Sequence, residues 1–236
     1  EEILKENLIK KYGQRFIDYR KRYEENLSKK SSEIAHLNYP NTVLLELVNR
    51  CDLECTMCYQ GFRNDASKSV LDENILDKVF ADFKKNKLNS LMFSASEPLL
   101  YKKIDTVFQR AKDAEIMDIF LFTNGTLLNE KNSKMILESS LTRLFISIDA
   151  ASEETYNKVR IPVSKRLLEQ NRLAKLEDNI KNFIHLRDKV YKKSLPLVRT
   201  SFVALDKNKH EIDTFINKWQ NIVDSVEIQK KFIPHS

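Results

Sequence analysis

The chain's three cysteines, Cys51, Cys55 and Cys58, fall within eight consecutive residues, in the run Val48-Asn49-Arg50-Cys51-Asp52-Leu53-Glu54-Cys55-Thr56-Met57-Cys58. Thiolates are the usual ligands of iron–sulfur clusters. A cube of four irons held by three cysteines keeps one iron open, and an open iron can grip a reacting molecule by its amine and carboxylate. A fully ligated cluster can only pass electrons. Two plainer readings stand beside this one. A structural zinc site wants four ligands, and His36, His185, His210 and His235 all lie outside finger-like spacing from the cysteines, so zinc would need a distant histidine. Inert thiols are the other. A disulfide framework fits poorly, because the crowded cysteines are neither evenly paired nor spread along the chain.

A loop carrying such chemistry must hang from rigid elements. From Thr42 onward, short runs rich in Val, Ile, Leu and Phe alternate with helical patterns. Strands are expected at Thr42–Val48, Ser90–Ser94, Asp118–Phe122, Arg143–Ile148, Val198–Ala204 and Ser225–Ile228. Between them, Asp72–Lys85 puts Ile75, Leu76, Val79, Phe80 and Phe83 on one helical stripe, and Lys102–Ala114 does the same with Ile104, Val107, Phe108 and Ala111. The expected fold class is α/β, a partial (β/α)6 barrel of parallel strands with its functional loops at the carboxyl ends. The cysteine run directly follows the first strand. Upstream, residues 1–41 read as an N-terminal helical arm and linker. Ile3, Leu4, Leu8, Tyr12, Phe16, Tyr19 and Tyr23 mark an amphipathic helix through residue 30, and Ser31–Asn41, with Tyr39-Pro40, marks a connection. The barrel domain is expected over 42–236. Within it, Ile161–Lys193 is long and very basic, with a helix expected over Leu167–Val190.

The CxxxCxxC spacing after a strand resembles the signature of the radical S-adenosylmethionine superfamily, in which a large residue, here Met57, commonly precedes the last cysteine. The likeness continues through residue 229 in the order of the elements. It implies a 4Fe-4S cluster on Cys51, Cys55 and Cys58, with S-adenosylmethionine cleaved reductively to a 5'-deoxyadenosyl radical that abstracts hydrogen from a substrate. It also implies a set of cofactor contacts. Ser94-Ala95-Ser96-Glu97-Pro98 stands where the family typically carries Gly-Gly-Glu-Pro against the methionyl amine, which points to Ser96 and Glu97 while replacing both glycines. Thr123 and Asn124, in Thr123-Asn124-Gly125-Thr126, correspond to the edge bordering the adenosine, although Asn-Gly alone is a turn signal. Ser147 and Asp149 leave the fourth strand toward one side, with capping of the next helix by Asp149 or Ser152 as the plain alternative. Arg160 resembles an arginine that grips the methionyl carboxylate in a two-pronged geometry. Phe202 would line the adenine site or pack in the core. Stretches such as Val48-Asn49-Arg50-Cys51, Ser147-Ile148-Asp149-Ala150 and Val226-Glu227-Ile228-Gln229 are similar to the SPASM/twitch branch, whose cysteine-rich C-terminal extension is expected to be missing here, since no cysteine follows Cys58. No residue stands out as a catalytic acid or base.

Composition is ordinary for a globular protein, with 42% apolar and 31% charged residues among 236. No stretch approaches the roughly eighteen apolar residues of a membrane span, and nothing resembles a secretory signal, so the expected location is cytoplasmic, with no membrane partner. The net charge of +6, from 40 Lys and Arg against 34 Asp and Glu, is mixed along the chain. That describes a solvated surface, or one that attracts RNA, acidic peptides or phosphorylated substrates. The expected partners are a peptide or small-molecule substrate and an electron donor such as flavodoxin or ferredoxin. The alternatives are an RNA-modifying radical enzyme and a non-catalytic metal-binding interaction module.

Overall fold

The computed structural model describes residues 2–27, 38–58, 69–164 and 171–230. Six strands form one sheet in chain order, β1 (Thr42–Leu45), β2 (Ser90–Phe93), β3 (Asp118–Thr123), β4 (Arg143–Ser147), β5 (Leu197–Ala204) and β6 (Ser225–Lys230), every neighbouring pair parallel. Parallel neighbours require crossovers. The described crossover helices are α3 (Glu73–Lys85), α4 (Ile104–Asp113), α5 (Glu130–Glu138), α6 (Glu153–Val159), α7 (Arg172–His185) and α8 (Ile212–Trp219). This is the expected α/β architecture, a partial barrel with its loops at the carboxyl ends of the strands.

Local chemistry sets the helix limits. Asp72 caps α3 by accepting from the Asn74 N–H at 2.8 Å, and the stripe Leu76, Phe80 and Phe83 is buried. Asn129 caps α5 through the Asn132 N–H. The first strand ends at Leu45, short of the expected Val48, and the helix expected from Leu167 begins within the described residues at Arg172, then widens into a π-type turn over Leu186–Val190. Residues 165–170, and most of the expected connection 31–41, lie outside the described residues.

Strand alternation gives the sheet two faces. Leu91, Phe93, Ile119, Leu121, Leu144, Ile146, Val198 and Phe202 are buried in the main core with the helices. The alternate positions Phe120, Phe122, Arg143, Phe145 and Arg199 meet one another on the inner face: the Phe145 ring lies edge-on to Phe122 at 4.9 Å and to Phe120 at 5.7 Å. The arm is not one helix. It breaks at Gly13, whose φ of +56° is the left-handed conformation that glycine tolerates, into α1 (Glu2–Tyr12) and α2 (Gln14–Leu27). Leu4, Leu8, Phe16 and Tyr19 form a second core with Met117 and Leu197. Arg15 also donates to the carbonyls of Lys87 and Leu88. These contacts lie just before a strand or at its first residue, so the arm covers the amino ends of β2, β3 and β5, opposite the cysteine loop.

Candidate functional site

The cysteine loop is pinned by backbone bonds from several directions. On one side Asn49 N–H donates to Ser69, Leu71 N–H to Leu47, and Glu97 N–H to the Arg50 carbonyl. On the other, Glu54 N–H donates to Ile161 and Thr56 N–H to Val159, while Val163 N–H donates back to Asp52, with Leu53 bridged to Pro162. A turn closed by the Cys58 N–H on the Cys55 carbonyl, at 3.0 Å, sets the last two cysteines. Loops held this way present their side chains at low entropic cost.

All three cysteines are free and half-buried. Burial pushes the Cys51 thiol up to about 12 and raises Cys55 as well. Against that, N–H donors face the sulfurs: Leu53 N–H lies 3.4 Å and Asn124 Nδ2 3.6 Å from Cys51 Sγ, and Arg160 Nη1 lies 3.3 Å from Cys55 Sγ. Such donors favour thiolates. Among the described residues, no three His, Cys, Asp or Glu side chains gather as ligands of a single metal ion. Three sulfur donors on one pinned loop, flanked by amide and guanidinium N–H groups, fit an iron–sulfur cluster, whose sulfur ligands are spread around a cube. Met57, between the cysteines, is half-buried and packs against the main core.

The loops that follow the next strands converge on this one. After β2, Ala95 and Ser96 adopt φ of +63° and +51°, so two residues with side chains hold a backbone conformation that suits glycine. Ser96 donates to Glu46 at 2.9 Å. Glu97 is fully buried, and its carboxylate accepts from Leu99 N–H, Thr123 Oγ1 and Asn124 N–H, at 3.1, 2.9 and 2.8 Å. Burial outweighs those donors and pushes its pKa up to about 7. Glu97 therefore ties the β2 loop to Thr123 and Asn124 at the end of β3. Asn124 in turn reaches the cysteine loop, donating from Nδ2 to Asp52 Oδ1 at 2.7 Å, and Thr126 Oγ1 donates to Asp52 Oδ2 at 2.6 Å.

Ser147, the last residue of β4, is half-buried, whereas Asp149 beyond it is fully buried at φ +63°, accepts from Val203 N–H at 2.7 Å and pairs with Arg160. Burial raises Asp149 despite the guanidinium beside it. Arg160 thus joins Asp149 to Cys55. Ser152, not Asp149, caps α6. Phe202 is fully buried with its ring tilted against Phe215 of α8, 5.1 Å between centres, so strand alternation sends Ser201 and Val203, rather than Phe202, to the inner face. The sequence pattern passed over three contributors. These are Asp52, the 159–163 clamp, and Glu211, which accepts from Ala151 N–H, Ser152 and Thr155 to hold the turn after β4. Asp52 stands beside a cysteine, which was the one available signal; the other two depend on distant pairing.

Residues 45–217 match the Radical SAM superfamily, and the chain belongs to that superfamily. Its cofactors are a 4Fe-4S cluster and S-adenosylmethionine. Relatives include a probable GTP 3',8-cyclase of Methanococcus maripaludis, 24% identical over 80% of this chain and 58% of its own, and the GTP 3',8-cyclase of Limosilactobacillus fermentum, 26% identical over 74% and 49%. Among solved structures, Streptococcus suis SuiB bound to S-adenosylmethionine is 15% identical with a TM-score of 0.64 over 87% of this chain and 44% of that one. Native anSMEcpe with bound AdoMet is 18% identical with a TM-score of 0.65 over 83% and 52%. These structures share the fold. The chain spans less than two thirds of the length of each.

Proposed function

We propose that this chain holds a 4Fe-4S cluster on Cys51, Cys55 and Cys58, binds S-adenosylmethionine at the open iron, and directs the resulting radical chemistry at a hydrogen of a peptide or small molecule. The observation that carries the reading is the convergence on one pinned cysteine loop of the loops after β2, β3 and β4. When bound, the cluster supplies the electron for reductive cleavage of the sulfonium. The chain's own residues do the rest. The Ala95–Ser96 backbone, turned into the left-handed region, offers its polar groups to the methionyl amine. Arg160, between Asp149 and Cys55, supplies positive charge beside the carboxylate and the thiolates. Ser147, with Thr123 and Asn124 behind it, borders the adenosine, and the inner aromatic face excludes water from the reacting carbon. A small electron-transfer protein such as flavodoxin or ferredoxin fits as reductant.

The test is anaerobic reconstitution with iron and sulfide, followed by reduction with dithionite and quantification of 5'-deoxyadenosine. The expected result is about four irons per chain, with 5'-deoxyadenosine formed, and loss of both in Cys51→Ala, Cys55→Ala and Cys58→Ala. A fully loaded cluster that yields no 5'-deoxyadenosine refutes the reading.

A further inference from the structure

The inner face of the sheet carries two arginines, and they are held differently. Arg143 is buried, its guanidinium set against Asp118, which is itself fully buried and accepts from Thr142 Oγ1 at 2.6 Å. Arg199 lies one strand across, in register with Phe145, with its guanidinium 3.6 Å above the centre of that ring. It also pairs with Glu227 on β6, Nη1 to Oε2 at 2.9 Å, and the two side chains keep 23% and 38% of their exposure. A half-exposed ion pair adds little to stability, and an apolar residue at 199 would extend the wall formed by Phe120, Phe122 and Phe145. The arrangement suits recognition. A guanidinium carries five N–H donors in a planar fork matched to carboxylate and phosphate oxygens. Here one edge is steadied by Glu227 while the ring face fixes the plane.

Position along the strand narrows the role. Arg199 precedes Ser201 on the same face by two residues, about 7 Å, and Ser201 is in register with Ser147. A group held at Arg199 therefore lies one layer below the strand ends that the preceding proposal assigns to the cofactor. We infer that Arg199, flattened on Phe145 and braced by Glu227, is a substrate-anchoring residue that grips an oxyanion, carboxylate or phosphate, and so presents a neighbouring carbon to the layer of Ser147 and Ser201. This rests on the proposed radical chemistry.

The test titrates acetate and phosphate, each a single oxyanion, into the reconstituted, S-adenosylmethionine-loaded protein by calorimetry, and the anion that binds more tightly identifies the source. The expected result is saturable binding of at least one anion by the wild type, weakened tenfold or more by Arg199→Met. Glu227→Gln, which removes a competing carboxylate charge from beside the guanidinium, should tighten the same anion several-fold. Misfolding cannot produce shifts of opposite sign. Absence of saturable binding by the wild type, or shifts of both variants in one direction, overturns the inference. A wild type that binds the anion but forms no 5'-deoxyadenosine refutes the radical chemistry instead, so the two failures are told apart.

Discussion

Ala95→Gly is expected to stabilise the protein, although it removes a side chain from the edge of the site. Ala95 sits at φ +63°, in the left-handed region, which costs an L-residue roughly 1–2 kcal/mol. Glycine escapes that cost but brings extra freedom to the unfolded chain, worth roughly 0.5–1 kcal/mol. The net gain is roughly 0.5–1 kcal/mol, which for a chain of this size raises the melting temperature by roughly 1–4 °C. Ser96, at φ +51°, is the internal control. Ser96→Gly gains the same relief but loses the hydroxyl's bond to Glu46, 2.9 Å long, worth roughly 0.5–1.5 kcal/mol, so its net change is close to zero. Thermal melts and urea midpoints of both variants, measured beside the wild type under one buffer, give the comparison. A lowered midpoint for Ala95→Gly, or a gain at Ser96→Gly larger than at Ala95→Gly, refutes the reasoning that strain is stored in this turn.

Three further outcomes are expected. Gly125 has φ +75°, and a Cβ there would stand 2.5 Å from Leu176 Cδ1 and 2.9 Å from Ile146 Cγ2; Gly125→Ala should cost roughly 2–5 kcal/mol from overpacking and strain together, read as a fall in urea midpoint. Arg160→Met leaves Asp149 buried without a counter-charge and should cost roughly 3–5 kcal/mol at neutral pH. Burial already holds Asp149 above the usual carboxylate range, and a carboxyl raised on folding contributes its stability below its unfolded pKa and loses it as pH climbs through the folded one; the variant's deficit should therefore shrink toward acid, and a pH-independent deficit counts against the pair. Burial, then Asp118, pushes the Tyr19 phenol up to about 12, so the wild type should keep full stability below the ordinary tyrosine pKa of about 10 and lose on the order of 2–3 kcal/mol as pH rises toward 12. Tyr19→Phe should lose less over that interval, and an unchanged alkaline slope would place the titrating group elsewhere.

The strands were legible because each is a short apolar run bounded by turn residues, and the parallel order followed from the helical stripes between them. Gly13 was the weak point of the arm. The amphipathic pattern runs straight through it, whereas the backbone turns left-handed there and makes two helices. At the site, the cysteine spacing and the order of the loops could be read locally. Which partner each side chain takes could not. Glu97, Asp149 and Arg160 are bonded to groups 26 or 27, 54, and 105 residues away in sequence, and no local pattern encodes those pairings. Phe202 shows the same limit from the other side: alternation fixes that it opposes Ser201, but only the position of α8 shows which face is the core.

Those long-range bonds bear on the two left-handed residues, Ala95 and Ser96. Glu97 spends both carboxylate oxygens on Thr123, Asn124 and Leu99, and Asn124 spends its amide on Asp52 and Thr126. Side chains so occupied act as braces that fix the separation between the β2 loop, the β3 loop and the cysteine loop. A ligand entering among them meets mainly what is left, the backbone at Ala95 and Ser96 and the half-buried Ser147. For such a ligand the backbone dihedrals at 95 and 96 matter more than the identity of the residues carrying them, and both residues lie in the left-handed region that glycine favours. The side chains carried at positions 95 and 96 are then a cost in strain, concentrated at two residues, within a group of loops whose spacing is maintained by Glu97 and Asp52.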